Sequence, residues 1–201
     1  MKIGIIGIGS LTLKLAIRSA RAGYKITLHN PQGNSLIRES VKTMGATAAL
    51  GTLEQAAAAD IILLFLPKDD LESVLPNLPD MSGKIIVHTS SLIFDPGSLL
   101  SGITHGMTYR ITVCLIPEAH IVKLFTPVSL KPAVKTTAHT NRQELFFISS
   151  HKASGNGIRN FLKTLDFLPI DLTGRLKVQN TAMNLKSISA PPAGPFADQL
   201  N

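Results

Sequence analysis

The first thirty residues constrain this chain more than any other stretch. Lys2-Ile3-Gly4-Ile5-Ile6 is a short apolar run of strand length, and it ends in Gly7-Ile8-Gly9-Ser10-Leu11-Thr12. A helical pattern follows, with Leu11, Leu15 and Ala22 among its apolar positions, and it stops at Gly23. A second run, Lys25-Ile26-Thr27-Leu28, leads into His29-Asn30. Strand, glycine turn, helix and strand in so short a span form a βαβ unit, the setting in which a glycine turn binds a dinucleotide. Gly7 permits the tight turn, and Gly9 lets backbone N–H groups approach a pyrophosphate at the positive end of the helix. The third glycine of that fingerprint serves close helix–strand packing, and Thr12 stands in its place. The competing reading is an ordinary βα turn of some α/β protein; the position after a strand and before a helix favours the phosphate site.

The residues just past the second strand bear on the choice of cofactor. An enzyme that prefers NAD usually has Asp or Glu there, about 20 residues on, to hold the ribose 2′-OH. Here the position is His29 or Asn30, followed by Pro31-Gln32-Gly33-Asn34-Ser35 and then Arg38. With no carboxylate at that point and several donors close by, NADP is expected over NAD. The residues expected to hold the pyrophosphate are Gly7, Ile8, Gly9, Ser10 and Leu11. Those expected around the 2′-phosphate are Asn30, Gln32, Ser35 and Arg38.

At 201 residues the chain is expected to be one domain, 1–201. Residues 1–110 would form the dinucleotide-binding core, and 111–201 a small C-terminal extension on the acceptor side. With 44% hydrophobic and 16% charged residues, no Trp and few aromatics, the core should be aliphatic and Ala-rich. The single cysteine, Cys114, rules out an internal disulfide and a cysteine-based metal site, and its apolar run Ile111–Leu115 suggests a buried structural thiol. The six histidines are too dispersed to suggest a metal. A net charge of +7 could suggest nucleic acid, but the Lys and Arg residues are scattered without interleaved aromatics. A basic surface that attracts an anionic cofactor is the simpler reading. The chain shows no leader pattern, and its longest apolar block, Ile61 to Leu66, is too short to span a bilayer. No membrane contact, a cytoplasmic location and a homodimer are expected.

Further along, Asn34 or Ser35 can cap a helix through about Met44, ended by Gly45, and Ala46 to Leu50 reads as a weak third strand. Thr52-Leu53-Glu54-Gln55 resembles a capping box before a short Ala-rich helix. The continuous apolar run Ile61–Leu66 is expected as a strand buried on both faces, ending at Pro67-Lys68 on the same sheet edge as Gly7 and Gly9. A helix from Asp69 or Asp70 to about Leu75 comes next, broken by Pro76 and Pro79. The strand Lys84–His88 then ends in Thr89-Ser90-Ser91, expected to face the cofactor. This alternation argues for a doubly wound, mostly parallel α/β sheet of the Rossmann kind. Beyond it, the sequence suggests a polar loop at 98–110, a strand at Ile111–Leu115 and a helix starting at Pro117. A strand at Glu144–Ser149 is next. A helix is expected after the turn Ser154-Gly155-Asn156-Gly157, then a last strand at Leu168–Leu172 and an irregular tail from Ser189.

Four pieces of the chain together resemble a known family, the small oxidoreductases grouped with coenzyme F420-dependent NADP reductase, which also resemble the cytoplasmic domain of STEAP-type ferric reductases. They are the opening Met1–Gly9, the Asn30–Ser35 loop, Val122-Lys123-Leu124-Phe125, and Phe167-Leu168-Pro169-Ile170-Asp171-Leu172-Thr173-Gly174 with Ala193-Gly194-Pro195-Phe196-Ala197. The departures are Ser10 and Thr12 in the phosphate loop, Thr126 where the family has Asn, and Thr89-Ser90-Ser91 in place of an Asn-Pro. The resemblance implies hydride transfer between NADPH and a small acceptor such as F420 or a flavin. No nucleophile or metal is needed for that chemistry.

In that reading Leu66, Pro67 and Ser90 flank the nicotinamide. Lys123 is a candidate contact for an anionic acceptor, or else a solvated lysine on an amphipathic helix. His88 could exchange a proton near the hydride site, or else be a hydrogen-bonded structural histidine. Asp171 could simply hold the turn after it. Two other classes stay open: an imine or pyrroline-carboxylate type of reductase, and a non-catalytic NADPH-binding or sensing protein.

Overall fold

The parallel strands pair in the order expected from a chain that winds out from its first strand in both directions. The computed structural model describes residues 1–93, 109–126 and 142–173, with residues 90–93 and 126 described by backbone alone. Its strands are β1 (Lys2–Ile6), β2 (Lys25–His29), β3 (Ala48–Leu50), β4 (Ile61–Leu64), β5 (Ile85–Ile93), β6 (His120–Thr126), β7 (Gln143–Ser149) and β8 (Phe167–Asp171). They form one sheet in the order β3-β2-β1-β4-β5-β6-β7-β8. The first six are mutually parallel; β7 runs antiparallel to β6, and β8 parallel to β7. The order 3-2-1-4-5-6 is that of the Rossmann sheet, with its topological switch between β1 and β4.

The helices are α1 (Ser10–Arg21), α2 (Arg38–Thr43), α3 (Leu53–Ala57), α4 (Lys68–Val74), α5 (109–115) and α6 (Lys152–Thr164). They cover both faces of the sheet. Leu11 and Leu15 of α1, Val41 of α2 and Ile158, Phe161 and Leu162 of α6 share one core cluster with Ile3, Ile5, Val87, Val122 and Phe147. Ala56 of α3, Leu71 and Val74 of α4 and Ile116 pack the other face with Ile6, Ile62, Leu64, Ile86 and Ile121. The central strands β1 and β4 are buried on both faces, which is why they read as unbroken apolar runs. Thr52 and Gln55 form the expected capping box: the Gln55 N–H donates to the Thr52 hydroxyl at 3.3 Å, and the Thr52 N–H to Gln55 Oε1 at 2.9 Å.

Several expectations are corrected. Residues 111–115, expected as a strand, are helical. Their β-branched run suggested a strand, but Thr112 and Ile116 are buried four residues apart while Val113 and Leu115 are exposed, which is a helical period. Cys114, expected to be buried, is exposed on this helix. The helix expected from Pro117 is instead a turn leading into β6, because Ile121, Val122 and Leu124 are needed to fill a central strand covered on both faces. The expected turn at Ser154–Gly157 lies inside α6. There Gly155 is buried, and a β-carbon on it would lie at ordinary contact distance, 3.4 Å, from Ser149. The helix expected over 34–44 is divided into a 3₁₀ turn, Asn34–Ile37, and α2. The strand expected to stop at His88 continues to Ile93, with a register shift against β6 between Thr89 and Ile93. The expectations for 98–108 and for the tail from Gly174 onward lie outside the described residues.

Candidate functional site

The candidate site is the carboxyl edge of the parallel strands, where the register aligns the ends of several elements. His29, Ile6, Leu64, His88 and Lys123 are successive partners across β2, β1, β4, β5 and β6. Just beyond that row β1 gives way to Gly7, with φ at +76°, and the Gly7 N–H donates to the His29 carbonyl at 2.9 Å. A side chain at Gly7 would be strained in this left-handed conformation, and its β-carbon would lie 1.9 Å from the Phe65 carbonyl oxygen. Gly9 caps α1, and the first intrahelical bond is Leu13 N–H to the Gly9 carbonyl at 2.9 Å.

The first turn of α1 carries no acidic side chain, while Arg18 and Arg21 occupy its last turn. The positive helix end therefore faces the sheet edge uncompensated, and by helix geometry the N–H groups of Ser10, Leu11 and Thr12 have no intrahelical acceptor. These features fit an anionic group such as a pyrophosphate. Ser10 is exposed and Leu11 is buried beneath the turn.

Thr12 is fully buried, and it closes the loop from inside. Its hydroxyl accepts from the Gly9 N–H at 2.7 Å and donates to the Gly9 carbonyl at 2.9 Å. The residue that replaces the third glycine thus draws the Gly9 N–H inward, away from any ligand. Phe65, at the end of β4, was not among the residues expected at the site. Its ring lies where a β-carbon on Gly9 would point, with ring atoms 2.7 and 2.8 Å from that position. A phenylalanine at the end of an apolar strand reads as core, so the only sequence signal was its place one residue past the switch-point strand. Leu66 is buried beside Gly7, and Pro67 is exposed at the start of α4.

The loop after β2 holds its own shape. The Asn30 N–H donates to Asn34 Oδ1 at 2.8 Å, and the Asn30 side-chain amide donates to the Gly33 carbonyl at 3.1 Å. Asn34 Nδ2 reaches the Gly51 carbonyl at 3.0 Å. Gln32 is exposed, and its Nε2 lies 3.4 Å from Asp70 Oδ2 of α4. A carboxylate thus reaches the loop from α4, not from the end of β2 where an NAD-selecting acid usually stands. Ser35 and Arg38 are both exposed on the 3₁₀ turn and α2.

At the other end of the row His88 and Lys123 are neighbours, and both are buried. Alternation along β5 and β6 puts them on the face that carries α4 and α5. Lys123 Nζ lies 5.2 Å from the Phe125 ring centroid and 5.7 Å from that of Tyr109. Burial pushes the pKa of the Lys123 ammonium down and that of the Tyr109 hydroxyl up. The reading of Lys123 as a solvated residue on a helix is thereby corrected, since it is 7% exposed on a central strand. Ser90 lies on β5 within the register shift, and the Thr89 hydroxyl donates to the Leu64 carbonyl at 3.1 Å.

Asp171 lies apart, on the outermost strand. It accepts from the Thr173 N–H at 2.9 Å and pairs with Arg159 at 2.8 Å, so it holds the turn after β8. Among the described residues no cluster of His, Cys, Asp or Glu could hold a metal ion. Among them, too, no helix is long and apolar enough to cross a membrane.

Residues 2–91, the glycine turn and the strands around it, match the family described as NADP oxidoreductase, coenzyme F420-dependent. The match takes in strands β1 to β5 and stops within β5. The resemblance read from the sequence is thus supported over these residues. Among solved structures, a hypothetical protein from Sinorhizobium meliloti superposes with a TM-score of 0.66 at 26% identity, covering 86% of this chain and 85% of its own. A candidate F420-dependent NADP-reductase from an Arthrobacter species gives 0.62 at 18% identity, over 94% of each chain. An imine reductase from Aspergillus terreus, solved in complex with NADPH4, gives 0.56 at 17% identity; 93% of this chain covers 61% of that one. The last two likenesses concern the fold, and they share the Rossmann architecture built above.

Proposed function

We propose that this chain is an oxidoreductase that binds NADP(H) along the carboxyl edge of the sheet and transfers hydride between NADPH and a small acceptor such as F420 or a flavin. One observation carries the reading: the N-terminus of α1, without an acidic residue in its first turn, opens at the switch point between β1 and β4. The nicotinamide, when bound, supplies the hydride. The chain's part is to bind and orient. Gly7 to Leu11 would hold the pyrophosphate, with Asn30, Gln32, Ser35 and Arg38 near the ribose 2′ position. Leu66, Pro67 and Ser90 would flank the reacting ring. Residues 111–201 would form the acceptor side, where Lys123 is a candidate contact for an acceptor's anionic group and His88 one for its proton. A cytoplasmic homodimer remains part of this reading on the basis of the sequence alone.

A second reading, an imine or pyrroline-carboxylate type of reductase, is favoured by the buried pair His88 and Lys123, since reduction of a C=N bond needs a proton as well as a hydride. Calorimetric titration with NADPH and NADH, followed by NADPH oxidation with F420, a flavin, a ferric chelate and a cyclic imine, tests both. Micromolar binding that favours NADPH, with turnover of one acceptor class, is the expected result. Binding without turnover of any of them would leave a sensor and refute the enzyme; no binding would refute the cofactor as well.

A further inference from the structure

We infer that Phe65 is a gate on the phosphate site, a side chain whose ring competes with the dinucleotide for Gly9 and so sets cofactor affinity. The inference rests on the cofactor reading above. In a dinucleotide turn the second glycine omits its side chain so that the backbone can approach the pyrophosphate. In this chain that space is occupied by the chain itself, because the missing β-carbon of Gly9 points into the tip of the Phe65 ring, with three ring atoms within 2.8 Å of it. A pyrophosphate seated against Gly9 and the ring in this position exclude one another.

The backbone of Phe65 leaves little room to yield. Its N–H donates to the Ile6 carbonyl at 2.9 Å, and its own carbonyl oxygen fills the space above Gly7. The side chain is the part that can move: it is half-buried, sits one residue past the end of β4, and can swing between staggered rotamers about its Cα–Cβ bond. Thr12 acts in the same sense from below by engaging the Gly9 N–H. Ligand entry therefore requires the ring to give up its contact with Gly9, and part of the binding free energy goes into displacing it. A smaller side chain at position 65 removes that cost.

The test compares the wild-type chain with Phe65→Ala and Phe65→Val, the valine supplying a smaller side chain of high strand propensity for the strand end. Affinities for NADPH and for ADP-ribose are measured by calorimetry, and folding is checked by thermal melts. Loss of the contacts of a half-buried ring corresponds to about tenfold tighter binding of both ligands, or about 1.4 kcal/mol. ADP-ribose is expected to gain as much as NADPH, because the gate acts at the pyrophosphate. The chain contains no Trp, so Phe65→Trp adds a sole indole. Its quenching by acrylamide should rise on adding ADP-ribose as the ring leaves Gly9. Affinities unchanged or weakened in folded Phe65→Ala and Phe65→Val, with wild-type binding intact, would overturn the gate and leave the cofactor reading standing. Absence of binding in all the proteins would overturn both.

Discussion

Replacing Thr12 by valine tests whether the hydroxyl of this residue, rather than its bulk, holds the glycine turn. Valine has nearly the same shape, but its second methyl can neither accept from the Gly9 N–H nor donate to the Gly9 carbonyl, the two bonds made at 2.7 and 2.9 Å. The carbonyl keeps the Leu13 N–H at 2.9 Å, so the loss falls on the Gly9 N–H. A buried donor left unpaired costs about 1–3 kcal/mol, and because Gly9 is only half-buried the lower part, about 1–2 kcal/mol, applies. In a domain of this size each kcal/mol lowers Tm by about 2–4 °C, which gives a drop of about 2–8 °C. Circular-dichroism melts of Thr12→Val and Thr12→Ser provide the measurement. The serine variant keeps the hydroxyl and loses a single methyl worth about 0.8 kcal/mol, so it should melt above the valine variant. A Thr12→Val protein that melts with the wild type or above it would refute the reasoning.

Other consequences are open to direct measurement. Asp70→Asn removes the carboxylate beside Gln32 and should tighten NADPH binding about threefold to tenfold, with NADH little changed; an equal gain for NADH would count against a 2′-phosphate at this loop. Because burial holds the Lys123 pKa below its ordinary 10.5, the protonated side chain weakens the fold below that lowered value, and the weakening fades as pH rises towards 10.5. Wild-type stability should therefore rise relative to Lys123→Met between about pH 7 and about pH 10, read by melts at both; a fall would contradict the burial argument. Cys114, exposed on α5, should react with a thiol reagent in the native protein without prior unfolding, whereas labelling as slow as unfolding would contradict its exposure.

The half of the chain that was most legible is the half built from local units. The succession of strands and helices from β1 to β5 follows from apolar runs separated by helical patterns, and the capping box at Thr52 was visible from its spacing alone. Legibility failed where a residue's environment comes from distant chain. Ile111–Leu115 carries the composition of a strand, yet it folds as a helix that buries Thr112 and leaves Cys114 outside. Of the two readings the sequence left open for Lys123, the solvated helical lysine fails, because β6 must complete a sheet covered on both faces and so buries it.

The glycine turn shows where the division lies. Sequence alone determined that a strand, a tight turn and a helix succeed one another there, because φ freedom at Gly7 and apolar periodicity are properties of neighbouring residues. It also placed the positive end of that helix at Gly9. Tertiary structure decided which side chains meet that turn. Phe65 arrives from the end of β4, far along the chain, to cover Gly9, and Asp70 arrives from α4 to meet Gln32. The physical reason is that close contacts across a sheet depend on which strands become neighbours, and pairing β4 against β1 is a global choice that no local pattern records.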